Sequence, residues 1–182
     1  MSKKLKIIGI NGSASKNSSN LSILHIIADQ MKPECQMTIV EDLSVLPHFR
    51  THLTDLNTPE EILRFRSEIE NSDGVIICTP EYVFSIPSGL KNALEWCVST
   101  TVFSDKPVGL ITASANGEKG HEELKLIMKT IMTRFNEATT LLIQGVRGKV
   151  NDRGDISNED TLAGLMKFVE SFKDLVSRQA EV

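Results

Sequence analysis

Two polar stretches hold the residues best suited to chemistry. Gly12-Ser13-Ala14-Ser15-Lys16-Asn17-Ser18-Ser19-Asn20 combines hydroxyls, amides and a glycine, and it opens onto a segment with helical spacing. Such a loop can surround a phosphate with side-chain donors and with N–H groups at a helix N-terminus, where the helix dipole favours negative charge. The competing reading is a flexible Ser/Asn loop whose serines only cap the helix. The second stretch, residues 79–92, begins Thr79-Pro80-Glu81-Tyr82-Val83-Phe84-Ser85 and follows the apolar run Val75-Ile76-Ile77-Cys78. A loop leaving a buried strand for a helix lies where open α/β sheets bind ligands, at the carboxyl ends of the strands. A third small-residue loop, residues 114–120, includes Ser114, Asn116 and Gly117.

These loops need a frame, and the chain alternates short apolar runs with amphipathic segments. Residues 5–10 form a nearly continuous apolar run ended by Asn11-Gly12, the pattern of a parallel strand buried on both faces. Leu24, Ile27, Ala28 and Met31 then recur at helical spacing, with Ser18 or Ser19 as the N-cap. Residues 37–40 give a second strand. Thr58-Pro59-Glu60-Glu61 has a cap residue, a proline for the first helical position and acids for the first turn, ahead of the stripe Ile62, Phe65 and Ile69.

Residues 75–78 supply the third strand, followed by a helix expected to turn Leu90, Leu94, Cys97 and Val98 inward. Residues 107–113 and 139–143 supply the fourth and fifth strands, and the last two helices carry Leu124 to Phe135 and Leu162 to Val176. The polar segment 147–155 reads as an exposed excursion. Five β-α units imply a single-domain, three-layer doubly wound fold over residues 1–182 with a parallel sheet. Right-handed crossovers favour strand order 2-1-3-4-5, which brings the loops after strands 1, 3 and 4 to one edge.

Composition narrows the partners. The 182-residue chain carries a net charge of −4, so no general electrostatic pull toward nucleic acid or anionic lipid is expected. No apolar run approaches the roughly 20 residues of a membrane span, and a cytoplasmic location is expected. Three cysteines without a CxxC pair fit a reducing compartment and argue against zinc. Gly9 and Gly12 are misplaced for a dinucleotide fingerprint, and Gly148-Lys149 lacks the P-loop context.

Gly-Ser-x-x-x-x-Ser-x-Asn after the first strand, joined to Thr-Pro-Glu-Tyr-x-x-Ser-Ile-Pro-x-x-Leu-Lys-Asn-Ala-x-x-Trp after the third, resembles the NADPH-dependent FMN reductase family of flavodoxin-like proteins. That family includes quinone, chromate and azo-dye reductases. The resemblance implies an FMN phosphate on Ser13, Ser15, Ser18, Asn20 and the backbone near Leu21. It implies an isoalloxazine ring against Pro80, Glu81, Tyr82 and Val83, with Ser114, Asn116 and Gly117 along its other edge. NADPH or NADH would be the donor, and the acceptor a small molecule such as free flavin or a quinone. A homodimer or tetramer is implied as well.

Many family members have arginine where this chain has Ser15, so the charged phosphate contact falls to Lys16 or is lost. The flavin carries the chemistry, so no catalytic acid or base is expected; backbone N–H groups of residues 81–83 could stabilise charge on the reduced ring. Tyr82 suits stacking on a ligand or packing at an interface, Trp96 suits the core or a subunit contact, and His121 could approach substrate. Glu81 suits tying down its loop, and Cys78 reads as buried and unreactive. An electron carrier without its own nicotinamide activity, or a binding domain on the same sheet, remains compatible with the residues alone.

Overall fold

A computed structural model describes residues 4–54, 56–151 and 153–180. Residues 1–3 and Asp152 of the polar segment 147–155 lie outside them. Five strands, β1 (Leu5–Asn11), β2 (Cys35–Val40), β3 (Gly74–Thr79), β4 (Val108–Ser114) and β5 (Thr140–Gln144), form one parallel sheet in the order β2-β1-β3-β4-β5. The expected order and flavodoxin-like layering are therefore observed.

Successive strand residues point to opposite faces, and the two faces hold separate cores. Ile8, Ile10, Val75, Ile77, Val108 and Leu110 face α2 (Glu60–Glu70), α3 (Ser88–Glu95) and α4 (Glu118–Thr130). Ile7, Ile76, Cys78, Ile111, Ala113 and Ile143 face α1 (Ser19–Met31) and α5 (Glu159–Ala180). The continuous apolar runs follow from burial on both sides.

Two local expectations are corrected. Thr58 does not cap α2: its hydroxyl donates backward to the carbonyls of Leu53 (2.8 Å) and Thr54 (3.0 Å), and Pro59 occupies the N-cap position. Val98 points outward and is 64% exposed. The helix tightens after Glu95, with Cys97 N–H donating to Leu94 and Val98 N–H to Glu95. Such i→i−3 bonding winds about three residues per turn instead of 3.6, which rotates Val98 off the buried stripe.

Trp96 is fully buried, and its indole N–H donates to the Pro47 carbonyl at 2.7 Å. The same carbonyl accepts from Asn92 Nδ2 at 3.1 Å, while Asn92 Oδ1 accepts from Phe49 N–H at 2.7 Å. Phe49 meets the Trp96 ring edge-on, with centroids 5.2 Å apart. The Leu-Lys-Asn-Ala-x-x-Trp half of the second motif therefore fastens the connection after β2 to α3. Trp96 belongs to the core rather than to a surface contact.

Candidate active site

The loop after β1 is shaped by its own amides. Asn11 Oδ1 accepts from Ser13 N–H at 3.2 Å, and Asn11 Nδ2 donates to the Glu41 carbonyl at 2.9 Å. Ser13 Oγ accepts from Ser15 N–H at 3.2 Å, which leaves its own hydroxyl proton for a ligand. Ser18 is the N-cap of α1 and accepts from Asn20 N–H at 3.1 Å, again keeping a proton to donate. Neither Ser19 N–H nor Leu21 N–H has an acceptor among the described residues, as expected in the first turn of a helix.

Asn20 has a second task. Its side-chain N–H donates to the Ala113 carbonyl at 3.2 Å, and its Oδ1 accepts from the Cys78 thiol at 3.4 Å. It ties the start of α1 to β3 and β4, with one amide N–H left over. Burial drives the Cys78 pKa far above that of an ordinary thiol, so the thiol stays protonated as a donor. Cys97 is pushed up to about 12, also by burial.

In the loop after β3, Tyr82 and Ser85 exchange both backbone bonds, at 2.9 and 3.0 Å, across Val83 and Phe84. This is a two-residue hairpin, and both central residues have positive φ, 52° and 58°. Neither is a glycine or asparagine, and Val83 is β-branched, so the tip is strained. Val83 is 95% exposed and Phe84 73%. Tyr82 N–H is spent within the hairpin, which removes it from the donors expected for a reduced ring; Glu81 and Val83 N–H have no acceptor among the described residues.

The Glu81 carboxylate is turned to α4. It accepts from Gly120 N–H at 2.8 Å and Gly117 N–H at 3.4 Å, capping α4. Gly117 sits at φ 89°, and a Cβ on Gly120 would lie 3.1 Å from Glu81 Cβ and 3.3 Å from the Ser85 carbonyl, so loop and helix approach closely where glycine leaves room. In return Glu123 of α4 accepts from Ser85 Oγ at 2.5 Å and Ile86 N–H at 2.9 Å. His121 turns inward, its Nδ1 2.9 Å from Thr112 Oγ1, and it does not line the cleft. Burial, aided by Lys125, lowers its pKa below the ordinary value.

These loops enclose a cleft of about 690 Å³ at the carboxyl ends of the strands, within the range of small-molecule sites. Ser13, Ser15, Ser18 and Asn20 from the loop after β1 line it together with Pro80, Glu81 and Tyr82 from the loop after β3 and Ser114. Leu21 and Lys16 line an adjoining lobe of about 520 Å³ with Glu41 and Asp42. Val83, Asn116 and Gly117 are not brought to the wall: Val83 projects into solvent, Asn116 Oδ1 accepts from Gln144 Nε2 at 2.8 Å, and Gly117 caps α4.

The lining also takes in Asn17, Ser19 and Ala115 of the loops singled out from the sequence; sequence reasoning missed Ala113 and residues 145–148 after β5, which include Arg147. The position of that loop at the same sheet edge was an available signal. A separate depression of about 660 Å³ along the β5–α5 edge holds none of these residues, and the site belongs where the loop donors converge. Among the described residues no group of three His, Cys, Asp or Glu side chains could hold a metal ion, and no helix is long and apolar enough to cross a membrane.

The donor set fits FMN. The hydroxyls and helix N–H groups of the loop after β1 suit a phosphate, and the Pro80–Tyr82 wall suits a planar ring. Comparison with known proteins agrees. The NADPH azoreductase of Bacillus sp. (strain OY1-2) is 31% identical over 94% of this chain and 96% of its own. The quinone reductase of Escherichia coli (strain K12) is 26% identical over 98% of both chains. The solved structure of FerB, a flavoenzyme NAD(P)H:(acceptor) oxidoreductase from Paracoccus denitrificans, superposes with a TM-score of 0.81 at 26% identity, covering 96% of this chain and 98% of FerB. Residues 5–146 match the NADPH-dependent FMN reductase family, and the chain belongs to that family, as an enzyme that uses NAD(P)H and FMN to reduce a small acceptor.

Proposed function

We propose that the cleft between the loops after β1, β3 and β4 is the FMN site of a single-domain, cytoplasmic reductase. Its acceptor is a diffusible aromatic oxidant of the quinone type. The observation that carries this reading is one cleft lined both by the phosphate-type donors of the loop after β1 and by Pro80-Glu81-Tyr82. The similarity to a quinone reductase and an azoreductase supports the acceptor class.

Ser13 and Ser18 donate hydroxyl protons to the phosphate, and Ser19 and Leu21 offer helix N–H groups. Asn20 holds α1 in register with β3 and β4, so those donors stay aimed. Pro80 and Tyr82 back the ring, and Ser114 bounds its far edge. Bound FMN supplies hydride uptake from a reduced nicotinamide and onward delivery of electrons. No side-chain acid or base is assigned, because the Glu81 carboxylate is spent on α4 and the Cys78 thiol stays protonated. The connection after β2, residues 47–53, and α3 are the surfaces assigned to a homodimer contact.

The test is the visible spectrum of the FMN-loaded protein under anaerobic conditions. NADPH or NADH should bleach it, and a benzoquinone should restore it with no protein partner present. Failure of both nicotinamides to bleach bound flavin would overturn the reading. Bleaching without recovery by the quinone would overturn the acceptor class alone.

A further inference from the structure

A flavin phosphate carries up to two negative charges, and hydroxyls with helix N–H groups neutralise only part of that. The loop after β1 contributes little more. Ser15 is uncharged, and Lys16 lines the adjoining lobe beside Glu41 and Asp42. The field of Lys16 already falls on Asp42, where it helps to hold that carboxyl below its usual range after the larger effect of the Ser44 hydrogen bonds.

The connection after β5 offers what is missing. Residues 145–148 line the same cleft as Ser13 and Ser18, and among the described residues Arg147 is the one cationic side chain in its lining. Its guanidinium is exposed and makes no hydrogen bond or ion pair with any described residue. Its loop is nonetheless well anchored. Val146 and Val150 are buried in the core shared with α1 and α5, and Gly145 N–H donates to the Ala115 carbonyl at 3.0 Å. Further along the same connection, Gly154 approaches α1 so closely that a Cβ there would lie 2.9 Å from Ser22 Oγ. The connection thus reaches the first turn of α1, the turn that also carries the Ser19 and Leu21 N–H groups.

We propose that Arg147 is the cation that pairs with the flavin phosphate, so that the charge absent at Ser15 is supplied from the loop after β5. This rests on the FMN reading above. It makes Arg147 a specificity residue: a planar guanidinium can engage two phosphate oxygens at once, and it would separate FMN from riboflavin, which has the same ring and no phosphate.

Titration of the full chain with FMN and with riboflavin, followed by flavin fluorescence, tests this. Arg147→Gln should raise the FMN dissociation constant about 10- to 100-fold and leave riboflavin binding unchanged. Arg147→Lys should recover part of the loss, and the salt dependence of FMN binding should become shallower in Arg147→Gln. Circular dichroism should be unaltered, because the side chain is exposed. Equal weakening of both flavins, no change in either, or an FMN-selective loss in Lys16→Gln alone would overturn the assignment. A wild-type chain that bound neither flavin would instead overturn the FMN reading and the assignment with it.

Discussion

Glu81 and Glu123 hold one seam from opposite sides. Glu81, on the loop after β3, accepts from the Gly117 and Gly120 N–H groups at the start of α4, and Glu123, one turn into α4, accepts from Ser85 Oγ and Ile86 N–H on that loop. Each carboxylate is matched to donors that would otherwise lack partners. The wall of the cleft is thereby fixed to a helix instead of being left as a free loop.

Removing either carboxylate should open the seam. Glu81→Ala and Glu123→Ala should each destabilise the protein by about 1–3 kcal/mol in urea unfolding, since each strands two donors, partly relieved by water. The double variant should lose less than the sum, because opening one side solvates the partners of the other. Full additivity would show that the two contacts are independent.

The hairpin tip stores strain at Val83, whose φ of 52° is unfavourable for a β-branched residue. Asparagine visits this region far more readily. Val83→Asn should therefore stabilise the chain by about 1 kcal/mol, read as a higher urea midpoint with an unchanged slope. A lower midpoint would mean that the exposed valine makes a contact outside the chain.

Asn92 and Trp96 act on the connection after β2, away from the cleft. Asn92→Ala should cost about 1–3 kcal/mol by leaving Phe49 N–H without its acceptor. FMN affinity should stay within about twofold in the folded variant, a change of less than about 0.5 kcal/mol. A large loss of affinity at unchanged stability would contradict the structural role.

His121 predicts a pH dependence of stability. Its folded pKa lies below the ordinary 6.5 because of burial first and Lys125 second. Between the two values the unfolded chain binds more protons, so stability rises with pH across that window. The contribution is intact above about pH 6.5 and is lost as the pH falls toward the folded value. Urea unfolding between pH 7.5 and 5 should show this slope in the wild type, and it should be shallower in His121→Gln.

Much of the architecture was legible because burial on both faces writes short continuous apolar runs, and five of them separated by helical stripes leave few topologies. The donors of Ser13 and Ser18 were legible for a similar reason: their types and their position before a helix are local facts. Strand order then predicted which loops meet.

Long-range pairing decided the rest. Asn20 looked like a phosphate ligand, yet its amide is engaged by Ala113 and Cys78, 93 and 58 residues away. Glu81 was expected both to tie down its loop and to touch the ring; only the approach of Gly120 shows its carboxylate directed at α4. Arg147 read as part of an exposed excursion until the packing of Gly154 on α1 carried its loop over the cleft. Residue type and periodicity determine which groups can donate, accept or be buried. Which of them meet depends on contacts between segments far apart in the chain, and those exist only once the layers have packed.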